Sequence, residues 1–393
     1  MDRYVEIAEA AYDKINQAFE DAEVNAKSIS TTKCLEIEIL HPSFTLPGQD
    51  ASVQRDGHCV AIPKKLLALA FLHARQNFLD QYSVDHEDRK QRKSLFSLSR
   101  MMLMYDPEVY TATNFRKVAA SIKDQDFVDE INIIGAFLTS PLPRHTKSPN
   151  LWSYRFWFFT RHANIYDQIV RYCNECLNPL HQSHASQLTI RTQVWHMFVK
   201  SELAVVHMAG EKHPKNYYAF DYARKLLCYS IANIRQFPQD AVKEHDAIIS
   251  YVNEIATIHH DWCLQHPSDC SGWSYLTYLL ETTFPYLTTT SVIISRTIER
   301  ICTLAWTGDS MWMFIKSAIA NTTLLNLDAR HDTLQQILLL ASNNAESNSL
   351  GSSKKAIAVA AREAIDWIKV QWQSGSWPDD DILIINELDR TRP

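Results

Sequence analysis

The densest set of potential metal ligands in the chain is HHDWCLQHPSDC, which holds His259, His260, Cys263, His266 and Cys270. A structural zinc is usually held by paired ligands, such as two C-x-x-C pairs or a cysteine pair with a histidine pair. This segment offers neither, and it reads as a helix running into a polar turn. Cys173-x-x-Cys176 is a single C-x-x-C without the β-α-β setting of a redox motif. The run DRKQRKS, Asp88 to Ser94, is basic but short and reads as part of a solvated loop. No G-x-x-x-x-G-K, G-x-G-x-x-G or G-x-S-x-G occurs, so phosphate-loop and serine-hydrolase chemistry lack support. On these residues the chain has no metal site and no self-contained catalytic constellation.

Composition narrows the frame that must carry any chemistry. Glycine and proline together number 22 of 393 residues, about half the share of roughly 12% found in average chains. An all-β protein needs turn residues every few positions, so the chain is expected to be all-α. Hydrophobic residues at 46% and charged residues at 21% exclude a disordered polymer. A net charge of −6 gives no reason to bind nucleic acid. No run of about 18 apolar residues suggests a membrane span. The acidic opening stretch lacks the apolar region of a secretory signal, and ELDRTRP is not a prenylation box. Eight scattered cysteines read as reduced, so a cytoplasmic location is expected.

A chain of 393 residues exceeds what one core usually holds, which leaves two domains or an extended repeat array. Residues 1–94 read as an N-terminal helical segment with a charged loop. An amphipathic helix is expected over Tyr4 to Glu23, and LEIEIL (Leu35 to Leu40) alternates like a strand but has no obvious partner. Pro63 sits where a helix starts, and KKLLALAFLHARQNFLDQY continues it. SVDHEDRKQRKS, Ser83 to Ser94, is expected to be the solvated loop. Helix-compatible sequence then runs from Leu95 to Trp372. It is broken by LHQSHASQ and by ASNNAESNSLGSSKK, Ala341 to Lys355, the best candidate for a mobile loop. Residues 326–393 form C-terminal helices that contain this loop and end in an acidic tail.

One pattern recurs across residues 95–325: a small or polar lead-in, an aromatic, then often an arginine three residues on. It reads YTATNFRKV at Tyr110, SPNLWSYRFWFF at Ser148, HPKNYYAFDYARKLL at His213 and SDCSGWSYLTYLLE at Ser268, with DSMWMFIKSAI at Asp309 a weaker copy. With Thr113, Trp152, Phe220, Trp273 and Trp312 as equivalent positions, the spacings are 39, 68, 53 and 39. The shorter spacings fit one helix pair per repeat, and the longer ones require insertions. A helical hairpin cannot bury its apolar face alone, so hairpins stack. The aromatic fills the gap between neighbours, and the arginine lies where it can tie to the next unit.

HPKNYYAF resembles the PKNYxxW unit of protein prenyltransferase alpha subunits, and Trp152 with Arg155 resembles that family's W-x-x-R core. The lettering of HPSDCSGWSYLTYLLE and KSPNLW is most similar to a divergent branch, the prenyltransferase alpha-subunit repeat-containing proteins. The departures are Thr113 and Phe220 in place of tryptophan, and Ala223 and Leu276 in place of arginine, with Arg224 one place late. The resemblance implies a right-handed superhelical crescent of stacked hairpins, an α-α solenoid, wrapped around a beta subunit. That partner, of the Rab geranylgeranyltransferase type, is expected to hold the zinc and the geranylgeranyl diphosphate, with no cofactor on this chain. The protein substrate would present a cysteine for thioether formation. The resemblance also implies that Lys147, five residues before Trp152, contacts the diphosphate. Lys215, Asn216, Tyr217 and Tyr218 would line the substrate side of the site. A non-catalytic helical-repeat scaffold for protein interactions is the alternative.

Overall fold

The computed structural model describes residues 2–29, 35–44, 52–82, 89–120, 127–161, 165–173, 187–235, 241–283, 287–321, 323–342 and 352–373. The chain forms two compact units, Met1–Gln239 and Asp240–Pro393. The boundaries expected at 94/95 and 325/326 fall inside these units. LHQSHAS (residues 180–186), Cys176 and the acidic tail lie outside the described residues.

The first unit opens with α1 (Asp2–Ile29), β1 (Glu36–Leu40), β2 (Gln54–Asp56), β3 (Cys59–Pro63), α2 (Lys64–Gln81) and α3 (Arg89–Tyr105). Ala8, Ala11, Ile15, Phe19 and Ala22 recur at three-and-four spacing along α1 and are all buried. They face α2, which buries Leu66, Ala70, Ala74 and Phe78 at the same period. The alanines allow close approach, and each buried phenylalanine contributes about 1.5–3 kcal/mol.

LEIEIL does have partners. β1 runs parallel to β3, β2 runs antiparallel to it, and the sheet order is β1-β3-β2. Ile37 opposes Val60, and all of Ile37, Val60 and Ile62 are buried, so one face of this small sheet joins the core. The β2–β3 turn is Gly57-His58. Gly57 has φ +57, which suits the first position of a tight hairpin turn.

Arg89–Ser94 belongs to helix α3 rather than to a loop. Gln91 donates to the Gln81 carbonyl at 2.8 Å, Ser94 donates to the Gln81 side chain at 3.1 Å, and Arg92 is buried. These contacts to the end of α2 turn a charged sequence into the start of a packed helix. Residues 83–88 lie outside the described residues.

The first unit continues with α4 (Tyr110–Ala120), α5 (Phe127–Leu138), the short α6 (Pro143–Thr146), α7 (Pro149–Arg161), α8 (Ile165–Tyr172), α9 (Gln187–Lys212) and α10 (Tyr217–Arg235). The second unit holds α11 (Ala241–Gln265), α12 (Cys270–Thr283), α13 (Leu287–Leu304), α14 (Asp309–Ala320), α15 (Leu327–Ser342) and α16 (Ser352–Gln373). The helices of the recurrent pattern pack on one another, α4 on α7 on α10 in one unit and α12 on α14 in the other, where α16 extends the row. The intervening helices form a second row, α5 with α9, and α11 with α13 and α13 with α15. Each unit is thus a stack of helical hairpins, the all-α repeat architecture that the pattern demands.

The 68-residue spacing accommodates the extra helix α8, whereas the 53-residue spacing includes the long helices α10 and α11. The stretch 341–355 is helical at both ends. Ala341 and Ser342 close α15, and Ser352 to Lys355 open α16. The Ala341 carbonyl accepts two hydrogen bonds from Arg362, at 3.3 and 3.0 Å, which ties the two helices together. Residues 343–351 lie outside the described residues.

Candidate functional site

Three of the five repeat helices, α7, α10 and α12, begin with the same local chemistry. Four residues before the aromatic, a short polar side chain accepts from the orphan N–H groups of the first turn. Ser148 accepts from Leu151 at 3.0 Å, and Asn216 from Ala219 at 3.3 Å. Asp269 accepts from Ser271 and Gly272, both at 3.0 Å. Where the aromatic is tryptophan, its indole N–H donates to the carbonyl six residues back: Trp152 to Thr146 at 2.8 Å, Trp273 to Pro267 at 3.2 Å and Trp312 to Trp306 at 3.1 Å. The helix start and the turn before it are thereby locked together.

Thr113 and Phe220 cannot make that bond, and a neighbouring unit supplies the donor instead. Asn150 Nδ2 reaches the Pro107 carbonyl at 2.7 Å, and Lys147 Nζ reaches the Pro214 carbonyl at 2.9 Å. A backbone carbonyl needs a partner whichever residue provides it. The two departures from tryptophan are therefore matched by side chains contributed from the next or the preceding repeat.

This geometry brings Lys147 against the segment that carries the other predicted site residues. Lys147 is half-buried, and its ammonium rests on the turn just before Lys215. Lys215 is exposed and has φ +60, a left-handed conformation uncommon for a side-chain-bearing residue. Asn216 is fully buried. Its amide nitrogen donates to the Thr146 carbonyl at 2.8 Å while its oxygen caps α10, so it presents no polar atom outward. Tyr217 and Tyr218 are 62% and 40% exposed, with ring centroids 5.6 Å apart in an edge arrangement. Tyr110, 58% exposed at the start of α4, stands near them. The Glu108 carboxylate raises its phenol pKa, and Tyr218 adds to the rise. Lys147, Lys215, Tyr217, Tyr218 and Tyr110 thus gather at one edge of the first unit, with Asn216 beneath as the residue that positions the turn. Spacing alone does not reveal Tyr110; its place three residues before Thr113, matching Tyr217 before Phe220, is the signal.

Beneath this edge lie two buried networks. Arg116 donates through Nε and Nη2 to Glu130 at 2.8 and 2.6 Å, and Tyr154 OH donates to the same carboxylate at 2.8 Å. One unit on, Arg155 grips Glu202 at 2.7 and 2.8 Å, and Tyr222 OH donates to it at 2.5 Å. Burial by itself pulls both arginines down, but the facing glutamates outweigh it and their pKa values rise. Burial, then the glutamate charge, lifts Tyr154 and Tyr222 well above the usual phenol value, so both remain donors. Each glutamate lies on the helix that packs against the next aromatic-bearing helix, α5 against α7 and α9 against α10. Each arginine thus ties directly to the next unit, as expected, and a tyrosine of that unit shares the carboxylate.

Glu202 stands 18 residues before Phe220; the same count before Trp273 and Trp312 gives Ile255 and Ile294. The arginine positions there hold Ala223 and Leu276, and Phe314 replaces the last tyrosine. All five are buried. Both charged partners have been exchanged together for apolar residues, which keeps a packed interior without stranding a charge.

In HHDWCLQHPSDC, the side chains serve packing. His259 pairs with the Gly272 carbonyl at 2.9 Å, His260 with Thr297 at 2.9 Å and His266 with the Trp262 carbonyl at 2.8 Å. Buried Cys173 points its thiol at the Val194 carbonyl.

Two segments of the chain, residues 199–230 and 252–283, match the model of the protein prenyltransferase alpha subunit repeat. Each runs from the middle of one helix into the aromatic-bearing helix that packs on it, α9 into α10 and α11 into α12. The first match contains Lys215, Asn216, Tyr217 and Tyr218; Lys147 lies outside both. No curated protein matches the chain. Among the described residues, no helix is long and apolar enough to cross a membrane.

Proposed function

We propose that this chain, which carries protein prenyltransferase alpha subunit repeats and is alpha-subunit-like in its helical architecture, is the alpha subunit of a heterodimeric protein geranylgeranyltransferase of the type III kind. Its partner is a beta subunit of the Rab geranylgeranyltransferase type, and its protein substrate presents a cysteine. The partner's zinc keeps that cysteine as the thiolate. In the reaction the sulfur bonds to the first carbon of the allylic group as the carbon–oxygen bond breaks and diphosphate leaves. Negative charge grows on the departing diphosphate, and fixed positive charge there lowers the barrier. Lys147 supplies it, exchanging the neutral Pro214 carbonyl for a charged oxygen, a stronger acceptor. Lys215 adds a second cation at the same edge, and Tyr217 and Tyr218 offer aromatic surface to the isoprenoid or the substrate. Cytoplasmic residence goes with this reading, supported by six described cysteines that are all thiols.

The observation that supports the reading is the meeting of Lys147 with the Pro214–Tyr218 segment, in the repeat register of the family. The rival is a helical-repeat scaffold without catalysis. It is favoured by the existing Lys147–Pro214 bond and the burial of Asn216, which suffice to explain both residues structurally. Co-expression with a Rab-type beta subunit and size exclusion separates the two. A 1:1 complex that transfers geranylgeranyl to cysteine-bearing proteins, with Lys147→Ala losing transfer but not assembly, supports the subunit reading. A chain that binds no beta subunit supports the scaffold.

A further inference from the structure

Outside the repeats, the small sheet brings together three side chains that sequence spacing does not connect. The ligand atoms of Glu36, His58 and Cys59 all lie within 4.8 Å of one another. Cys59 Sγ is 3.6 Å from Glu36 Oε2, and His58 Nε2 is 3.7 Å from Glu36 Oε1. Zinc bonds sulfur at about 2.3 Å and nitrogen or oxygen at about 2.0–2.2 Å, so on a tetrahedral zinc a sulfur and an oxygen stand roughly 3.5–3.7 Å apart and a nitrogen and an oxygen roughly 3.3–3.5 Å. The cysteine–glutamate separation matches, and the histidine–glutamate one needs to close by about 0.2 Å.

The fold holds these groups in place. Glu36 is the register partner of Cys59 in the parallel β1–β3 ladder, and the Glu36 N–H donates to the His58 carbonyl at 3.1 Å. Directly opposed residues project from the same face of a sheet. Asp56 opposes Cys59 from the other side, and Glu38 follows Glu36 two residues along the same strand. The face is therefore rich in negative charge, which favours a cation. All five residues line a cavity of ≈ 890 Å³, together with Lys212.

We propose that Glu36, His58 and Cys59 bind one zinc-class cation. The donor set selects the metal: thiolate and imidazole suit zinc, whereas magnesium and calcium take oxygen ligands. Three protein ligands leave a fourth position, as in zinc sites that hold water or a substrate group. Here that position opens into the cavity, where water or a small anion completes the shell. The proposal does not depend on the transferase reading.

The test titrates cobalt(II) and then zinc into the full chain, following the thiolate-to-cobalt charge-transfer band and the tetrahedral d–d absorption. The signal is read as the difference between wild type and Cys59→Ser, so that metal bound elsewhere cancels. One equivalent of cobalt with both bands, displaced by zinc, is expected. His58→Ala should weaken binding by more than about 100-fold, since even outer partners of a metal ligand are worth 10–100-fold. Glu36→Gln, which keeps the strand's shape, should weaken it likewise, and Cys270→Ser should leave it unchanged. A null difference spectrum overturns the site.

Discussion

Replacing Glu202 with isoleucine should destabilise the first unit severely, and completing the replacement should restore it. Glu202 is the common acceptor for Arg155 and for Tyr222, and both it and the arginine are almost fully buried. Glu202→Ile removes the counter-charge and strands a guanidinium that also spans the Phe159 ring at 5.3 Å. Breaking one side of a buried ion pair costs about 3–5 kcal/mol. For a unit of this size each kcal/mol lowers Tm by about 2–4 °C, so the shift should be roughly 6–20 °C. The chain already carries an apolar version of the same three positions: Leu276, Ile294 and Phe314, all buried. The triple variant Arg155→Leu, Glu202→Ile, Tyr222→Phe should therefore return to within about 1 kcal/mol of wild type, because a well-packed apolar set can replace a buried pair at little cost. Urea unfolding of the full chain, followed by fluorescence and far-UV circular dichroism, reads both effects. A triple variant that stays about 3 kcal/mol or more below wild type would refute the reasoning, as would a single variant that costs less than about 1 kcal/mol.

Three further outcomes follow from the geometry. A Cβ on Gly272 would stand 2.6 Å from the Trp262 ring, so Gly272→Ala should cost about 1–3 kcal/mol, read by chemical denaturation. Burial holds His260 down at about 4, against an unfolded value near 6.5, so the unfolded chain binds the extra proton first. Stability should be intact above pH 6.5 and should fall by about 3 kcal/mol as pH drops toward 4; His260→Gln should flatten that arm of a pH–stability profile. Asn216→Ala removes both the α10 cap and the bond to Thr146, and should cost about 1–2 kcal/mol in thermal unfolding.

The helical architecture was legible because burial of an apolar face imposes a period on the sequence. Ala8 through Ala22 and Leu66 through Phe78 display it without ambiguity. The basic run at Arg89 to Ser94 misled because charge says nothing of what a side chain can reach; the end of α2 supplies Gln91 and Ser94 with partners. The partner of LEIEIL carried one local sign, Asp56-Gly57 before an alternating CVAI, a combination that marks a hairpin turn. The parallel pairing to β1 had no such sign, since it joins residues 23 apart through an intervening segment.

Lys147 and the Lys215–Tyr218 segment could be named from repeat register, yet their roles in the fold could not. Register is a property of the chain and survives in the letters. Which atom an ammonium meets, and whether an amide faces solvent or the interior, depends on how successive hairpins approach. Glu130 and Glu202 have no recurrent spacing to their arginines, and only the reach of Arg116 from α4 to α5 and of Arg155 from α7 to α9 singles them out as partners. By itself, then, the sequence determined the hairpin array, its period and its family likeness, because these follow from local periodicity and repeated lettering. The tertiary structure alone decided which side chains share a carboxylate, which departures are compensated, and which residues remain at the surface to meet a partner. Those are contacts between residues far apart in the chain, and no local pattern encodes them.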